Sequence, residues 1–112
     1  MDITTRTQNG VTLVGFAGSL DSNTSPKAQQ ALDGMLAAGA RKVVVDCTAL
    51  DYISSAGLRV LLGTTKRLSG GGAGGALRLF GLNETVREVF DISGFSTILA
   101  VFGTEADALK GF

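Results

Sequence analysis

The chain has 112 residues, 45% of them hydrophobic, and its 10 basic and 10 acidic residues give a formal net charge of zero. This length suits one compact domain, which buries roughly two-thirds of the surface that its unfolded chain exposes. Because the charge is balanced, the chain has no basic excess that would attract nucleic acid or an anionic membrane. We therefore expect protein partners, and no binding to nucleic acid or membranes. The sequence has no histidine and one cysteine, which removes Ser-His and Cys-His catalytic pairs and an internal disulfide. We expect neither a metal nor a cofactor.

The amino terminus carries no sign of export. Residues 1–6 lack the apolar stretch of a secretory signal, and no apolar run approaches the ~18 residues that suggest a membrane span. A cytoplasmic protein is therefore expected.

The first part of the chain predicts a β-hairpin. Residues 3–8 and 11–17 are strand-like, and Asn9-Gly10 between them is the strongest short signal for a type I′ turn. These two strands should pair antiparallel.

A helix follows the hairpin. Ser25-Pro26 is typical of an N-cap followed by proline at the first helical position, and Gly39 should end the helix. Apolar residues between them recur at helical spacing and form one face: Ala28, Ala31, Leu32, Met35 and Leu36.

The remaining elements alternate between strand and helix. A valine-rich strand over 41–46 should be buried on both faces, and a helix should begin at Ser54-Ser55. Residues 70–75 match Gly-x-Gly-x-x-Gly, but they follow a helix and precede a strand, the reverse of a phosphate-binding loop, and predict a flexible connector. A strand over 77–80, a helix capped by Asn83 and ended near Gly94, a strand over 98–102 and a helix from Thr104 complete the order.

This order predicts an α/β fold in a single domain over residues 1–112. Alternating strands and helices imply a mostly parallel sheet with right-handed crossovers, and the N-terminal hairpin makes the sheet mixed. About four helices should cover it.

The two hydroxyls at the start of the second helix are the most informative feature. A serine there ordinarily accepts a hydrogen bond from a free backbone N–H of the first turn. The same helix end carries about half a positive charge and also tolerates a phosphate group. An ordinary N-cap and a phosphorylation site are both open at this point.

The sequence around these hydroxyls resembles the STAS domain family in its stand-alone form, the anti-sigma factor antagonists. The family motif is matched by residues 55–58, Ser-Ala-Gly-Leu, and its Gly-x-Leu-Asp motif by residues 18–21. Two positions depart from the common pattern: Ser54 stands where many members have Asp, and Arg59 where many have Gly. Ser54 is therefore a second possible acceptor beside Ser55.

The resemblance implies a phosphorylation-controlled binding protein rather than an enzyme. Unphosphorylated, it would bind an anti-sigma factor that is a serine kinase and so free a sigma factor. Phosphorylation of Ser55 would end binding, and a serine phosphatase would restore it; unbound, the protein would be a monomer. The implied partner-binding residues are Asp21, Ser22, Asn23, Ser54, Ala56, Gly57, Leu58 and Arg59.

Two of these residues have an alternative structural explanation. Asp21 is as well suited to bonding backbone N–H groups of its own loop as to meeting a partner. Leu58 belongs to the apolar face of its helix and so to the core, although it lies close to the acceptor.

Two other functions remain open. The chain could be a fixed STAS subunit of a signalling scaffold or a lipid-transport complex, with Ser55 only a cap, or a small-molecule or nucleotide sensor with a pocket at the same strand ends. Ser54 in place of Asp favours the fixed subunit, whereas the serine at position 55 favours the antagonist.

Overall fold

The computed structural model describes residues 1–70 and 75–112. Within them the order is β1 (Asp2–Gln8), β2 (Val11–Leu20), α1 (Ser25–Ala37), β3 (Lys42–Asp46), β4 (Leu50–Ile53), α2 (Ser55–Gly70), β5 (Ala76–Phe80), α3 (Glu84–Ser93), β6 (Ala100–Phe102) and α4 (Glu105–Leu109), with a 3-10 turn at Phe95–Thr97. The predicted α/β class with a mixed sheet and 4 helices is confirmed.

The N-terminal hairpin forms as predicted. β1 and β2 pair antiparallel, with Gln8 opposite Val11. Asn9 and Gly10 both have positive φ, at 51° and 80°, which is the conformation that a type I′ turn requires.

β3 lies at the centre of the sheet, whose strand order is β1-β2-β3-β5-β6. Beyond the hairpin the neighbouring strands run parallel. Val43 and Val45 join the larger core beneath α1, α2 and α3, while Val44 joins a smaller core beneath α4. The predicted burial of this strand on both faces is therefore confirmed.

Two strand predictions need correction. β4 was not predicted, because it has only four residues and its burial does not alternate: Leu50 and Ile53 are buried, whereas Asp51 and Tyr52 are exposed. The last strand was predicted over 98–102 but begins at Ala100, because the chain before it is still helical, with Ile98 at φ −102° and ψ −40°.

The start of α1 lies one residue earlier than predicted. Thr24, not Ser25, occupies the N-cap position, and Ser25 is the first helical residue. The Ser25 hydroxyl donates to the carbonyl of Asp21. Gly39, at φ 101°, follows the end of the helix as predicted.

The capping residues of α3 and α4 are as predicted. Asn83 Oδ1 accepts from the Val86 N–H at 2.7 Å, and Thr104 Oγ1 accepts from the Asp107 N–H at 3.2 Å. Gly94, at φ 78°, ends α3. None of the helices in the described ranges has the length and apolar character needed to cross a membrane.

The glycine-rich connector lies mostly outside the residues that the structure describes, since 71–74 are not among them. Its last residue, Gly75, is closely packed: an added Cβ would lie 2.9 Å from the carbonyl oxygens of Arg41 and Leu68.

Candidate functional site

Two loops meet at the carboxyl edge of the sheet because the end of β2 pairs with β4. Leu20 lies opposite Ile53, and the Ser54 N–H donates to the Leu20 carbonyl at 2.9 Å. Asp21 and Ser55 directly follow these two bonded residues, so the β2–α1 loop and the start of α2 lie side by side. β2 also pairs with β3, but the strand that brings the two loops together at this edge is β4.

The two serines at the start of α2 differ in exposure. Ser54 immediately precedes the helix, and its carbonyl accepts from the Leu58 N–H at 3.0 Å. Its hydroxyl oxygen is buried and has no hydrogen-bond partner among the described residues. Ser55, the first residue of α2, is exposed. The Ser54 hydroxyl therefore does not act as a side-chain cap of α2.

Asp21 organises the loop that follows β2. Its Oδ1 accepts from the N–H groups of Asn23 at 2.9 Å and Thr24 at 3.1 Å. This is the structural role that the sequence left open for Asp21, and one carboxylate oxygen is occupied by it. Ser22 and Asn23 at the tip of the loop are exposed.

Gly57 and Leu58, which the resemblance places among the partner-binding residues, lie in the interior of the fold. A Cβ on Gly57 would lie 2.8 Å from the Leu20 carbonyl oxygen and from side-chain carbons of Leu20 and Ile53. Leu58 is only 3% exposed and belongs to the larger core. Both residues hold the first turn of α2 against β2 and β4, while Ala56 is half-buried and Arg59 exposed.

Two residues of the site were not singled out from the sequence. Thr24 Oγ1 accepts from the Asp21 N–H at 2.9 Å and donates to the Ser19 carbonyl at 2.8 Å, so it ties the loop to the end of β2. Tyr52, on β4 opposite Ser19, is 45% exposed beside this edge. The sequence signal that could have identified Tyr52 is the presence of an aromatic residue two positions before Ser54.

β4 is fixed from its other side by the N-cap of α3. Asn83 Nδ2 donates to the Leu50 carbonyl at 3.0 Å while its Oδ1 caps the helix. One side chain therefore holds both the helix start and the strand that leads to Ser54.

Cys47 is chemically inert despite its position just after β3. Burial, and secondarily the Asp46 carboxylate, raise its pKa from 9.0 to about 12. Since the thiolate is the nucleophilic form, Cys47 is an unreactive thiol at neutral pH. Within residues 1–70 and 75–112, no group of three or more His, Cys, Asp or Glu residues could hold a metal ion. Exposed residues that bring a hydroxyl group to this edge include Ser22, Tyr52 and Ser55, and a hydroxyl can carry phosphate.

Comparison with known proteins assigns the family. The profile of the STAS domain matches residues 2–108. The chain belongs to the STAS domain family. The STAS chain is 38% identical to BtrV of Bordetella bronchiseptica, described as a candidate anti-sigma factor antagonist, over 112 residues that cover 100% of this chain and 95% of the relative.

Further relatives of the STAS chain are named antagonists. The anti-sigma-B factor antagonist of Staphylococcus aureus is 30% identical over 108 residues, covering 96% of this chain and 98% of the relative. The solved structure of an anti-sigma factor antagonist from Mycobacterium paratuberculosis superposes with a TM-score of 0.87 at 24% identity, covering 96% of this chain and 90% of the other. The resemblance predicted from the sequence is thus confirmed.

Proposed function

We propose that this STAS chain is an anti-sigma factor antagonist whose binding is controlled by phosphorylation of Ser55. In the unphosphorylated form it binds an anti-sigma factor that is also a serine kinase, and a sigma factor is thereby released. A serine phosphatase reverses the modification. The relative from Staphylococcus aureus supports the antagonist function, because it is named an anti-sigma-B factor antagonist and is 30% identical over 96% of this chain.

We assign Ser55 rather than Ser54 as the phosphate acceptor because Ser55 is exposed. A kinase must bring the γ-phosphate of ATP in line with the accepting hydroxyl, which requires that the oxygen be reachable. Ser55 is exposed at the start of α2, whereas the Ser54 hydroxyl oxygen is buried. Phosphorylation of Ser54 would require the first turn of α2 to open.

The transfer itself needs only the hydroxyl from this chain. The bond from Ser55 Oγ to the γ-phosphorus forms as the bond to the ADP oxygen breaks, and the hydroxyl proton passes to a base on the kinase. The antagonist is thus a substrate and a switch, and we propose no catalytic activity of its own.

The proposed contact surface surrounds Ser55 on two elements. Its members are the accessible residues of the β2–α1 loop and of the first turns of α2, together with the exposed aromatic residue of β4: Asp21, Ser22, Asn23, Tyr52, Ser55, Ala56 and Arg59. Tyr52 is included because tyrosine is enriched among the residues that dominate binding energy in protein interfaces. Gly57 and Leu58 support this surface from behind.

The size of the required switch indicates how phosphate acts. Moving a complex from nearly all bound to nearly all free takes about 5.5 kcal/mol of differential affinity. A phosphate at an exposed helix N-terminus gains only about 0.3–1 kcal/mol from the helix dipole, too little to drive refolding of the domain. We therefore propose that charge and bulk within the contact surface end binding, through repulsion and desolvation.

The proposal also states where the antagonist acts and in which oligomeric state. The antagonist acts in the cytoplasm as a monomer when unbound, with protein partners only and without a cofactor. The formal net charge of zero supports recognition by shape and local polarity rather than by a general electrostatic field.

Phosphorylation by the cognate kinase tests the proposal. Incubation with the kinase and ATP should add a single phosphate that fragmentation mass spectrometry locates on Ser55. Ser55→Ala should abolish labelling, and the matched variant Ser54→Ala should keep it. Labelling of Ser54 alone would contradict the assignment, and absence of any labelling would favour a fixed STAS subunit.

A further inference from the structure

We propose, building on the proposed function, that Arg59 is the internal partner of the phosphate on Ser55, so that phosphorylation also withdraws a free cation from the contact surface. The modification would then act in two ways: it adds negative charge at Ser55 and removes a positive contact at Arg59.

The helix places the two side chains together. Ser55 is the first residue of α2 and Arg59 follows four residues later, and both are exposed. Residues at this spacing lie on one face, with Cβ atoms about 5–6 Å apart. An anion preceding a cation by four residues is the favourable order, because it also suits the helix dipole. The planar guanidinium matches two phosphate oxygens at once.

Arg59 has no competing acidic partner in the described part of the chain. The ion pairs there join Arg6 to Glu105 and Arg67 to Asp33. α2 itself, with the sequence SAGLRVLLGTTKRLSG, contains no acidic residue. A phosphate on Ser55 would therefore be the first anion on this helix.

The unphosphorylated state leaves the Arg59 cation on the proposed contact surface, one turn from Ser55. There it is available to an acidic group of the partner, and an exposed ion pair of this kind strengthens binding by up to about fivefold. Phosphoserine carries a charge of about −1.5 to −2 at neutral pH and is held permanently within reach of Arg59. It therefore displaces the partner's acidic group.

The first experiment detects the pair without any kinase. Protein with phosphoserine encoded at position 55 is prepared with Arg59, Arg59→Gln and Arg59→Lys. In the Arg59 protein, the side-chain Nε–H resonance of Arg59 should shift on phosphorylation, and the ³¹P resonance should move in Arg59→Gln. Arg59→Lys should give an intermediate ³¹P position, because it keeps the charge but loses the planar fork.

Lys66 provides the matched control. It is exposed and basic on the same helix, but it lies 11 positions after Ser55, about 16 Å along the axis. Lys66→Gln should leave the ³¹P resonance unchanged. Identical ³¹P spectra for the Arg59 and Arg59→Gln proteins would overturn the inference and leave the proposed function standing.

The second experiment measures the consequence for binding to the purified anti-sigma factor. Arg59→Gln should weaken binding of the unphosphorylated form about two- to fivefold. The phosphorylated form should lose less than twofold, since its Arg59 is already occupied. Equal losses in both forms would overturn the inference by showing that phosphate does not engage Arg59. No binding of any unphosphorylated form would instead contradict the proposed function.

Discussion

Replacement of Gly57 by alanine should destabilise the fold, while the same change at Gly63 in the same helix should stabilise it. A Cβ at position 57 would lie 2.8 Å from the Leu20 carbonyl oxygen, from Leu20 Cγ and from Ile53 Cγ1. At position 63 an added Cβ meets nothing within 4 Å. The two substitutions are chemically identical and differ only in what surrounds the new methyl group.

The comparison isolates the cost of the close approach. Glycine to alanine within a helix gains about 1 kcal/mol from backbone entropy, and this gain is common to both variants. Forcing an extra carbon into a packed site costs about 1–3 kcal/mol. The cost at position 57 should lie in the upper part of that range, because one of its three contacts is a backbone oxygen that cannot rotate away. Gly63→Ala should therefore exceed Gly57→Ala in unfolding free energy by about 2–3 kcal/mol.

Urea denaturation followed by circular dichroism measures this difference directly. The midpoints should separate with similar slopes, since both variants keep the same fold. Equal stabilities would show that α2 does not press against β2 and β4 at Gly57, and would remove the structural reason for glycine at this position.

Three further predictions concern the same edge of the sheet. Ser54→Ala should leave the free energy of unfolding unchanged, or raise it by up to about 1 kcal/mol, because the buried Ser54 hydroxyl has no hydrogen-bond partner. Urea denaturation measures this, and a loss of about 0.5–2 kcal/mol would instead reveal a cap hydrogen bond from Ser54. Asp21→Ala should cost about 1 kcal/mol by removing an acceptor from two backbone N–H groups, and Asp21→Asn should recover most of it; loss of partner binding by a stable Asp21→Asn would add a direct contact to the structural role. Burial raises the pKa of Cys47 from 9.0 to about 12, so the folded protein retains a thiol proton that the unfolded chain releases. The contribution of this buried thiol to the free energy of unfolding is fully present below pH 9 and should be lost as the pH rises from 9 towards 12. At pH 8 the folded protein should show no immediate reaction with a disulfide reagent, and rapid stoichiometric labelling of the native protein would contradict this.

Local signals in the sequence were sufficient for much of the fold. Asn9-Gly10 defines its hairpin through two positive φ angles, and Asn83 and Thr104 cap their helices through side-chain oxygens. Each of these features depends on residues within a few positions of one another, which is why a single sequence reveals them.

The features that the sequence did not reveal depend on tertiary contact. β4 exists because the end of β2 offers it a pairing edge and Asn83 binds the Leu50 carbonyl, and neither partner is near it in sequence. Whether Ser54 or Ser55 faces solvent depends on how the first turn of α2 is rotated against the sheet. That rotation is fixed by the close contact of Gly57 with Leu20, which periodicity alone cannot locate.

Titration calorimetry of the Ser55 variants against the purified anti-sigma factor tests the central claim most directly. Ser55→Ala removes the acceptor and should bind at least as tightly as the unmodified protein, even in the presence of ATP. Ser55→Asp should bind much more weakly, although aspartate carries less charge than phosphoserine and the loss can be partial. Circular dichroism should confirm that both variants are folded. Equal affinities of the two folded variants would contradict the account and reduce Ser55 to a structural residue at a helix start.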